Sequence, residues 1–240
     1  ARSAIMSTEE HNWECTRKAV LRLPEGSVAC YGIHPWFAHR VTEGWDDRLR
    51  AQLEEWPDAL VGEIGLDKAA RTPETRKNEY HLQKEVFEQQ LRLAVELKRP
   101  ISVHCVRAVG KLHKTFEDFP DNGGLPPAIA LHSYGGSDDW IERYLNLPSE
   151  VYFGFSDIVN NSDDRQKEKT VANIQAVPDD RLLLESDLIN PTEINGVLLD
   201  ICALTAEAKG WTVEETARRT AENAQRFTSM TGRRPGVEIV

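Results

Sequence analysis

Four residues that can bind a metal ion or transfer a proton stand at the ends of short apolar segments of the sequence. They are Glu63 after Leu60-Val61-Gly62, His104 after Ile101-Ser102-Val103, His132 after Ile129-Ala130-Leu131, and Asp187 at the end of the segment that begins at Arg181. Two imidazoles and two carboxylates suit a divalent transition metal such as zinc or manganese, and a carboxylate can also bridge two cations or orient a water. Any one of them could be an ordinary core, rim or helix-capping residue. Four in succession indicate a functional site.

A fifth candidate is His34, because it also follows a short apolar segment, in Gly32-Ile33-His34-Pro35. From that position it can reach the same edge of a sheet. The remaining histidines have no such context and are interpreted as structural or exposed: His11, His39, His81 and His113.

Strand-length segments alternate with helical segments along the whole chain. Strands are predicted at Ser3–Met6, Ser27–Ile33, 59–63, Pro100–His104, Ala128–His132, Val151–Phe155 and Arg181–Asp187. Helices are predicted at about Thr8–Leu23, Asp46–Trp56, Asn78–Leu97, Val109–Phe119, Asp138–Leu147, Asp164–Ala176, Glu193–Lys209 and Val213–Phe227, with a turn at 121–124. This alternation is typical of parallel β/α units.

The fold class that fits this pattern is α/β, a (β/α)8 TIM-type barrel. In such a barrel active sites lie at the carboxyl ends of the strands, so Glu63, His104, His132 and Asp187 would converge on one rim. A closed barrel has eight strands. We therefore expect a first strand to precede Ala1. The alternative is an open doubly wound sheet, but Gly62-Glu63-Ile64-Gly65 lacks the spacing of a glycine-rich phosphate loop.

Length and composition limit the function classes. The 240 residues fit one barrel domain, 1–240, and no apolar run is long enough for a transmembrane helix, so no membrane partner is expected. The formal charge of −10 argues against a broad surface that tracks nucleic-acid phosphates, although bound divalent cations could supply positive charge locally. The four cysteines are scattered, which is typical of reduced thiols and predicts a cytoplasmic or nuclear location.

The sequence resembles the TatD-like metal-dependent hydrolases from about Ala4 to Phe227. The resemblance rests on Gly32-Ile33-His34-Pro35, Gly62-Glu63-Ile64-Gly65-Leu66-Asp67, Val103-His104, Leu131-His132-Ser133-Tyr134-Gly135-Gly136 and Leu184-Glu185-Ser186-Asp187. It implies a (β/α)8 barrel that hydrolyses phosphodiester bonds with one or two divalent cations (magnesium, manganese or zinc), an activity described as deoxyribonuclease. By this likeness Glu63 bridges two cations and His104 and His132 bind one of them. Asp187 holds a cation or the attacking water, and His34 lies on the rim near substrate.

Two departures from the family pattern qualify this expectation. The family's first strand ends in a His-x-His pair that completes the metal site, and its expected place is just before Ala1. Many bacterial members have an arginine two residues after the His104-type histidine, where this chain has Val106, with Arg107 following. With Glu185-Ser186-Asp187, these features look closest to the fungal branch named for interaction with a subunit of the anaphase-promoting complex.

Three function hypotheses follow from these observations. The first is a TatD-type deoxyribonuclease acting on DNA ends or short nucleotides, with Asp187 and Glu63 as catalytic residues. The second is a non-catalytic or weakly catalytic interaction protein that binds an anaphase-promoting-complex subunit. The third keeps the hydrolase but changes the substrate to an amide or a lactone.

Overall fold

The computed structural model describes residues 3–73, 75–119, 124–188 and 193–231. Its strands are β1 Ala4–Met6, β2 Val28–Tyr31, β3 Leu60–Asp67, β4 Ile101–Val106, β5 Ala128–Leu131, β6 Glu150–Ser156 and β7 Leu182–Glu185. Its α-helices are α1 Trp13–Val20, α2 Trp45–Glu55, α3 Tyr80–Glu96, α4 Val109–Asp118, α5 Asp139–Leu145, α6 Asp157–Asn160, α7 Asp164–Ala176, α8 Ile194–Lys209 and α9 Val213–Ser229. Short 3-10 helices cover Glu10–Asn12, Pro35–Arg40 and Asp179–Arg181.

All seven strands are parallel and follow one another in chain order, β1 to β7, across a single sheet. This is the order of a β/α barrel. A doubly wound sheet reverses its strand order partway, so that alternative is wrong. The predicted fold class is confirmed, with seven strands of the barrel among the described residues.

The helices match the predictions with small differences. The helix predicted from Thr8 starts instead as a 3-10 turn, and its α-helical part covers only Trp13–Val20. The 3-10 helix Pro35–Arg40 and the short helix α6 were not predicted. Most of the turn predicted at 121–124 lies outside the described residues. No helix in the described part of the chain is long and apolar enough to cross a membrane.

Alternate residues of the strands pack into two separate apolar clusters. Strand residues such as Tyr31, Val61 and Phe153 join the large cluster beneath the helices. Their neighbours in sequence, such as Leu60 and Tyr152, form a smaller cluster with Phe227 of α9. Because side chains alternate between the two faces of a strand, the smaller cluster marks the inner face of the curled sheet.

A bulge in β3 determines which of its side chains join that inner face. Val61 and Ile64 both pack under the helices, although they are three residues apart, and the pairing with β4 shifts register between them. An extra residue of this kind exchanges the faces of the residues that follow. Glu63 and Asp67 therefore point inward, on the same side as His104 of β4.

Candidate metal centre and active site

Glu63 lies at the centre of three imidazoles. Its Oε1 atom is 3.1 Å from His104 Nδ1, 3.7 Å from His34 Nε2 and 3.9 Å from His132 Nε2. Burial opposes ionisation of the Glu63 carboxyl most strongly, but His132, His104 and His34 outweigh it, so the pKa of Glu63 falls below its usual range. The residue is therefore a buried carboxylate, and only 7% of its surface is exposed.

Asp67 holds His104 from the opposite side of the ring. Its Oδ2 lies 3.2 Å from His104 Nε2 and accepts a 2.6 Å hydrogen bond from Trp36 Nε1, while Oδ1 accepts from the backbone N–H groups of Ala69 and Ala70. Burial disfavours the imidazolium, but the contacts to Asp67 and Glu63 raise the pKa of His104. Asp67 thus fixes the ring so that Nδ1 faces Glu63.

His132 is held in the same way by Glu185. Its Nδ1 is 2.8 Å from Glu185 Oε2, close enough for charge pairing although the atoms are not aligned as a hydrogen bond. The other ring nitrogen, Nε2, is 3.0 Å from Asp187 Oδ1 and faces Glu63. Burial lowers the pKa of His132, but the carboxylates of Glu185, Glu63 and Asp187 together raise it well above its usual value.

Glu185 is itself anchored from two sides. Its Oε1 accepts a 2.9 Å hydrogen bond from Ser133 Oγ and another from the Ser133 backbone N–H. A side chain at Gly154 would place its Cβ 2.9 Å from Glu185 Oε2, so the glycine leaves the space that this carboxylate fills. The orientation of Glu185 is thus set before any ligand binds.

His34 has the least exposed imidazole of the three, with 6% of its side chain exposed against 9% for His132 and 14% for His104. It follows β2 and caps the 3-10 helix Pro35–Arg40, where its Nδ1 accepts a hydrogen bond from the Trp36 backbone N–H at 3.2 Å. Burial, reinforced by the neighbouring His104, lowers the pKa of His34 to about 3. The ring is therefore neutral near pH 7, and its Nε2 faces Glu63.

The donor set fits a divalent cation. Donor atoms of Glu63 and His104 lie within 4.8 Å of each other and of one from His34, and His132 Nε2 faces the same carboxylate oxygen of Glu63 at 3.9 Å. Neutral or deprotonable imidazoles with a carboxylate are ligands for zinc, manganese and similar ions, and ligating histidines commonly have a carboxylate on the other ring nitrogen. Asp67 and Glu185 occupy that second position for His104 and His132.

The five residues singled out in the sequence come together at the carboxyl ends of the strands. Glu63, His104 and His132 meet directly, and Asp187 joins them through His132 Nε2, with 35% of its side chain exposed. His34, expected on the rim beside substrate, lies inside the three-residue donor group. The individual roles of these five residues remain predictions.

Three further residues of the site were not assigned a role from sequence. Asp67 lies four residues after Glu63 on the same face of β3, which is a signal that a period of two could have revealed. Glu185 is the last residue of β7, two residues before Asp187. The third, Trp36, gives no comparable signal, because its position depends on the 3-10 helix after His34.

Comparisons with known proteins show what the whole chain is similar to. A model of TatD-related DNases matches residues 2–229. Cut9-interacting protein scn1 of Schizosaccharomyces pombe is 26% identical over 95% of this chain and 91% of that protein. The 3'-5' ssDNA/RNA exonuclease TatD of Cronobacter sakazakii is 33% identical over 75% of this chain and 63% of that protein. The crystal structure of YJJV, a TatD homolog from Escherichia coli K12, has a TM-score of 0.75 at 22% identity, covering 94% of this chain and 85% of that one.

Proposed function

Because the chain belongs to the family of TatD-related DNases, we propose that it is a metal-dependent hydrolase that cleaves phosphodiester bonds in nucleic acid. The observation that supports this most directly is the position of Glu63, whose Oε1 lies within 3.9 Å of three imidazole nitrogens. The relative from Cronobacter sakazakii, named as an exonuclease of single-stranded DNA and RNA, supports the same reaction class.

Glu63, His104 and His132 would hold a divalent cation, with Asp187 at its edge. Neutral His34, whose Nδ1 accepts a hydrogen bond from Trp36, keeps its proton on Nε2 and can donate toward Glu63. When bound, such a cation supplies positive charge that activates water near neutral pH and stabilises charge on a phosphoryl group. Asp67 and Glu185 keep the rings of His104 and His132 oriented for this role. Which of magnesium, manganese or zinc is used, and whether one or two ions bind, remains a prediction from the family resemblance.

Asp187 is the residue best placed to accept the proton from the attacking water. Its carboxylate stands at the edge of the cluster and is 35% exposed, whereas that of Glu63 is 10% exposed. Water and substrate can therefore reach Asp187, and its Oδ1 is held 3.0 Å from His132 Nε2. A general base must lie within hydrogen-bond reach of the proton that it removes. Buried Glu63 is suited to hold charge, and partly exposed Asp187 is suited to orient or deprotonate water.

The test is hydrolysis of short single-stranded oligonucleotides by the protein with and without Mn²⁺, using Asp187→Asn as the variant. Asp180→Asn is a matched control, because Asp180 is an exposed aspartate paired with Arg181 outside the site. We expect metal-dependent cleavage by the wild type and the control, and a loss of about 100-fold or more in Asp187→Asn. Equal rates in the two variants would remove Asp187 from the mechanism.

A second candidate function is supported by the relative from Schizosaccharomyces pombe, whose name describes an interaction with Cut9 and whose alignment covers nearly the whole chain. By this proposal the barrel binds a subunit of a cell-cycle complex, without catalysis or with weak catalysis. Metal analysis of the purified protein separates the two. A site that takes up no Mn²⁺ or Zn²⁺ would favour the binding protein, and stoichiometric uptake the enzyme.

Two further expectations stay proposals. A substrate panel that includes amides and lactones would separate the phosphodiesterase from a hydrolase of another specificity. A cytoplasmic or nuclear location is proposed because the four cysteines are free thiols, two of them buried.

A further inference from the structure

Trp36 is a large aromatic residue that is both exposed and fixed in place at the mouth of the site. It is 54% exposed, although its Nε1 donates a 2.6 Å hydrogen bond to Asp67 and its ring packs edge-on against His34, with 5.0 Å between centroids. The polar edge of the indole is therefore turned toward the site, and its orientation is set. More than half of its surface remains open to solvent.

We propose that Trp36 is a stacking platform for a nucleobase of the substrate, next to the phosphodiester that reacts. This inference rests on the proposed function and deepens it, because it identifies the part of the substrate that the protein grips besides the phosphate. Stacking of a base on an aromatic side chain contributes about 1–3 kcal/mol and tolerates any base sequence. A ring already held in one orientation loses little freedom when a base binds.

Positive charge on the loops after β3 and β4, at the same end of the sheet as Trp36, favours a nucleic acid over an uncharged aromatic ligand. The loops that follow β3 and β4 carry five cationic residues, here called the basic rim: Lys68, Arg71, Arg76, Lys77 and Arg107. None of the five forms an ion pair with a carboxylate among the described residues. Several cations elsewhere on the surface do: Arg17, Arg48, Arg50, Lys114, Arg181 and Arg218.

The basic rim begins directly after Asp67, the partner of Trp36. The two loops are joined where the Lys68 backbone N–H donates a 3.0 Å hydrogen bond to the Val106 carbonyl. Lys68 lies over the Tyr80 ring and Arg71 donates to carbonyls of its own loop, so both keep their positive charge without a carboxylate partner. Such cations near an aromatic surface suit a single strand, because they attract its phosphates while the ring stacks on its bases. The chain as a whole has a net charge of −10, which repels a long duplex. The local cations therefore favour binding of a short single-stranded segment.

The inference can be tested with dinucleoside monophosphates that carry both bases, or that lack one base on either side of the phosphate. In the wild type we expect removal of one of the two bases to lower kcat/KM about 5- to 150-fold, the equivalent of the stacking energy. This ratio of kcat/KM with and without the base is the base preference.

Three variants test whether the base preference comes from Trp36. Trp36→Leu should bring the ratio close to one. Trp36→Phe keeps an aromatic face but loses the bond to Asp67, so it should slow all substrates while preserving most of the preference. Trp211→Leu removes a tryptophan between α8 and α9 and should leave the preference unchanged.

Binding gives a second readout that does not depend on hydrolysis. Calorimetry in Mn²⁺ compares thymidine 5'-monophosphate with deoxyribose 5-phosphate, and nucleotide quenching of tryptophan fluorescence compares the wild type with Trp36→Phe. We expect tighter binding of the nucleotide, and a quenching component that disappears in Trp36→Phe.

The outcomes separate this inference from the proposed function. Base-dependent binding at Trp36 without any cleavage would uphold the platform and contradict the hydrolase. Cleavage with no base preference in the wild type would overturn the platform and leave the hydrolase standing, even if Trp36→Leu failed to fold. An equal base preference in the wild type and in a folded Trp36→Leu variant would also overturn the platform.

Discussion

Replacing Glu185 by glutamine tests whether a carboxylate behind His132 prepares that ring for a cation. Glutamine has nearly the same shape, and its Oε1 can still accept the hydrogen bonds from Ser133. Its NH2 group, however, would donate toward His132 Nδ1, where Glu185 Oε2 now lies 2.8 Å away. In the neutral ring that a cation requires, the remaining proton would then lie on Nε2, the nitrogen that faces Glu63 and Asp187. A protonated Nε2 has no lone pair to offer.

The expected loss of metal affinity and activity follows from this change of tautomer. Removing the carboxylate partner of a ligating histidine typically costs 10- to 100-fold in metal affinity or activity, or about 1.4–2.7 kcal/mol. Because His132 is 9% exposed and water cannot replace the lost partner, we expect Glu185→Gln to fall near the upper end, about 100-fold. The measurements are Mn²⁺ affinity by calorimetry and metal-dependent cleavage of an oligonucleotide.

Glu117→Gln is the matched control for this experiment. Glu117 also pairs with a histidine, since its Oε2 lies 3.4 Å from His113 Nδ1, but its side chain is 50% exposed and the pair lies on α4. Exposed pairs contribute about 0–1 kcal/mol, so metal affinity and activity should stay at the wild-type level. Metal affinity within about threefold of wild type in a folded Glu185→Gln protein would refute the orienting role.

Three further outcomes are expected. Saturating Mn²⁺ should raise the melting temperature, because a ligand at 100 times its Kd stabilises the folded state by about 2.7 kcal/mol; chelation should reverse the shift, and Glu63→Gln should abolish it. Gly65→Ala should destabilise the protein in urea unfolding by well over 2 kcal/mol, because Gly65 has φ 148° and an added Cβ would lie 2.0 Å from the His104 carbonyl oxygen. Gly196→Ala, a helical position with open space around its Cα, should instead stabilise by up to about 1 kcal/mol; the opposite order of the two glycine variants would contradict the packing at β3.

The strands and their order were predictable because each buried strand is a short, nearly continuous apolar run. Residues such as Ile129 and Val151 lie between polar or glycine-containing turns, and the intervening helices have an apolar period near 3.6. That pattern also placed Glu63 and His104 at the same end of the sheet. It could not show to which face of the sheet Glu63 points. Leu60 faces inward, so strict alternation would place Glu63 on the outer face, under the helices.

The direction of Glu63 depends on the bulge between Val61 and Ile64. A bulge is set by packing against neighbouring strands and has no reliable signature in one strand's sequence. The depth of His34 was not predictable for a similar reason. Its burial depends on the 3-10 helix that follows it and on the ring of His104, 4.3 Å away between centroids. Contacts between side chains from different strands appear only when the strands are assembled.

The burial of this cluster itself distinguishes the two candidate functions. Glu63 and Asp67 are 7% and 3% exposed, and buried charges paired in this way contribute little to stability compared with apolar side chains of similar volume. The same inner face is filled elsewhere by Leu60 and Tyr152, so the barrel can be packed without charge. A protein that used only its outer surface to bind a partner would have no physical need for carboxylates and imidazoles beneath that surface. A reaction that requires a cation and a positioned base does need them there, and for that reason the hydrolase accounts for the site better than the docking protein does.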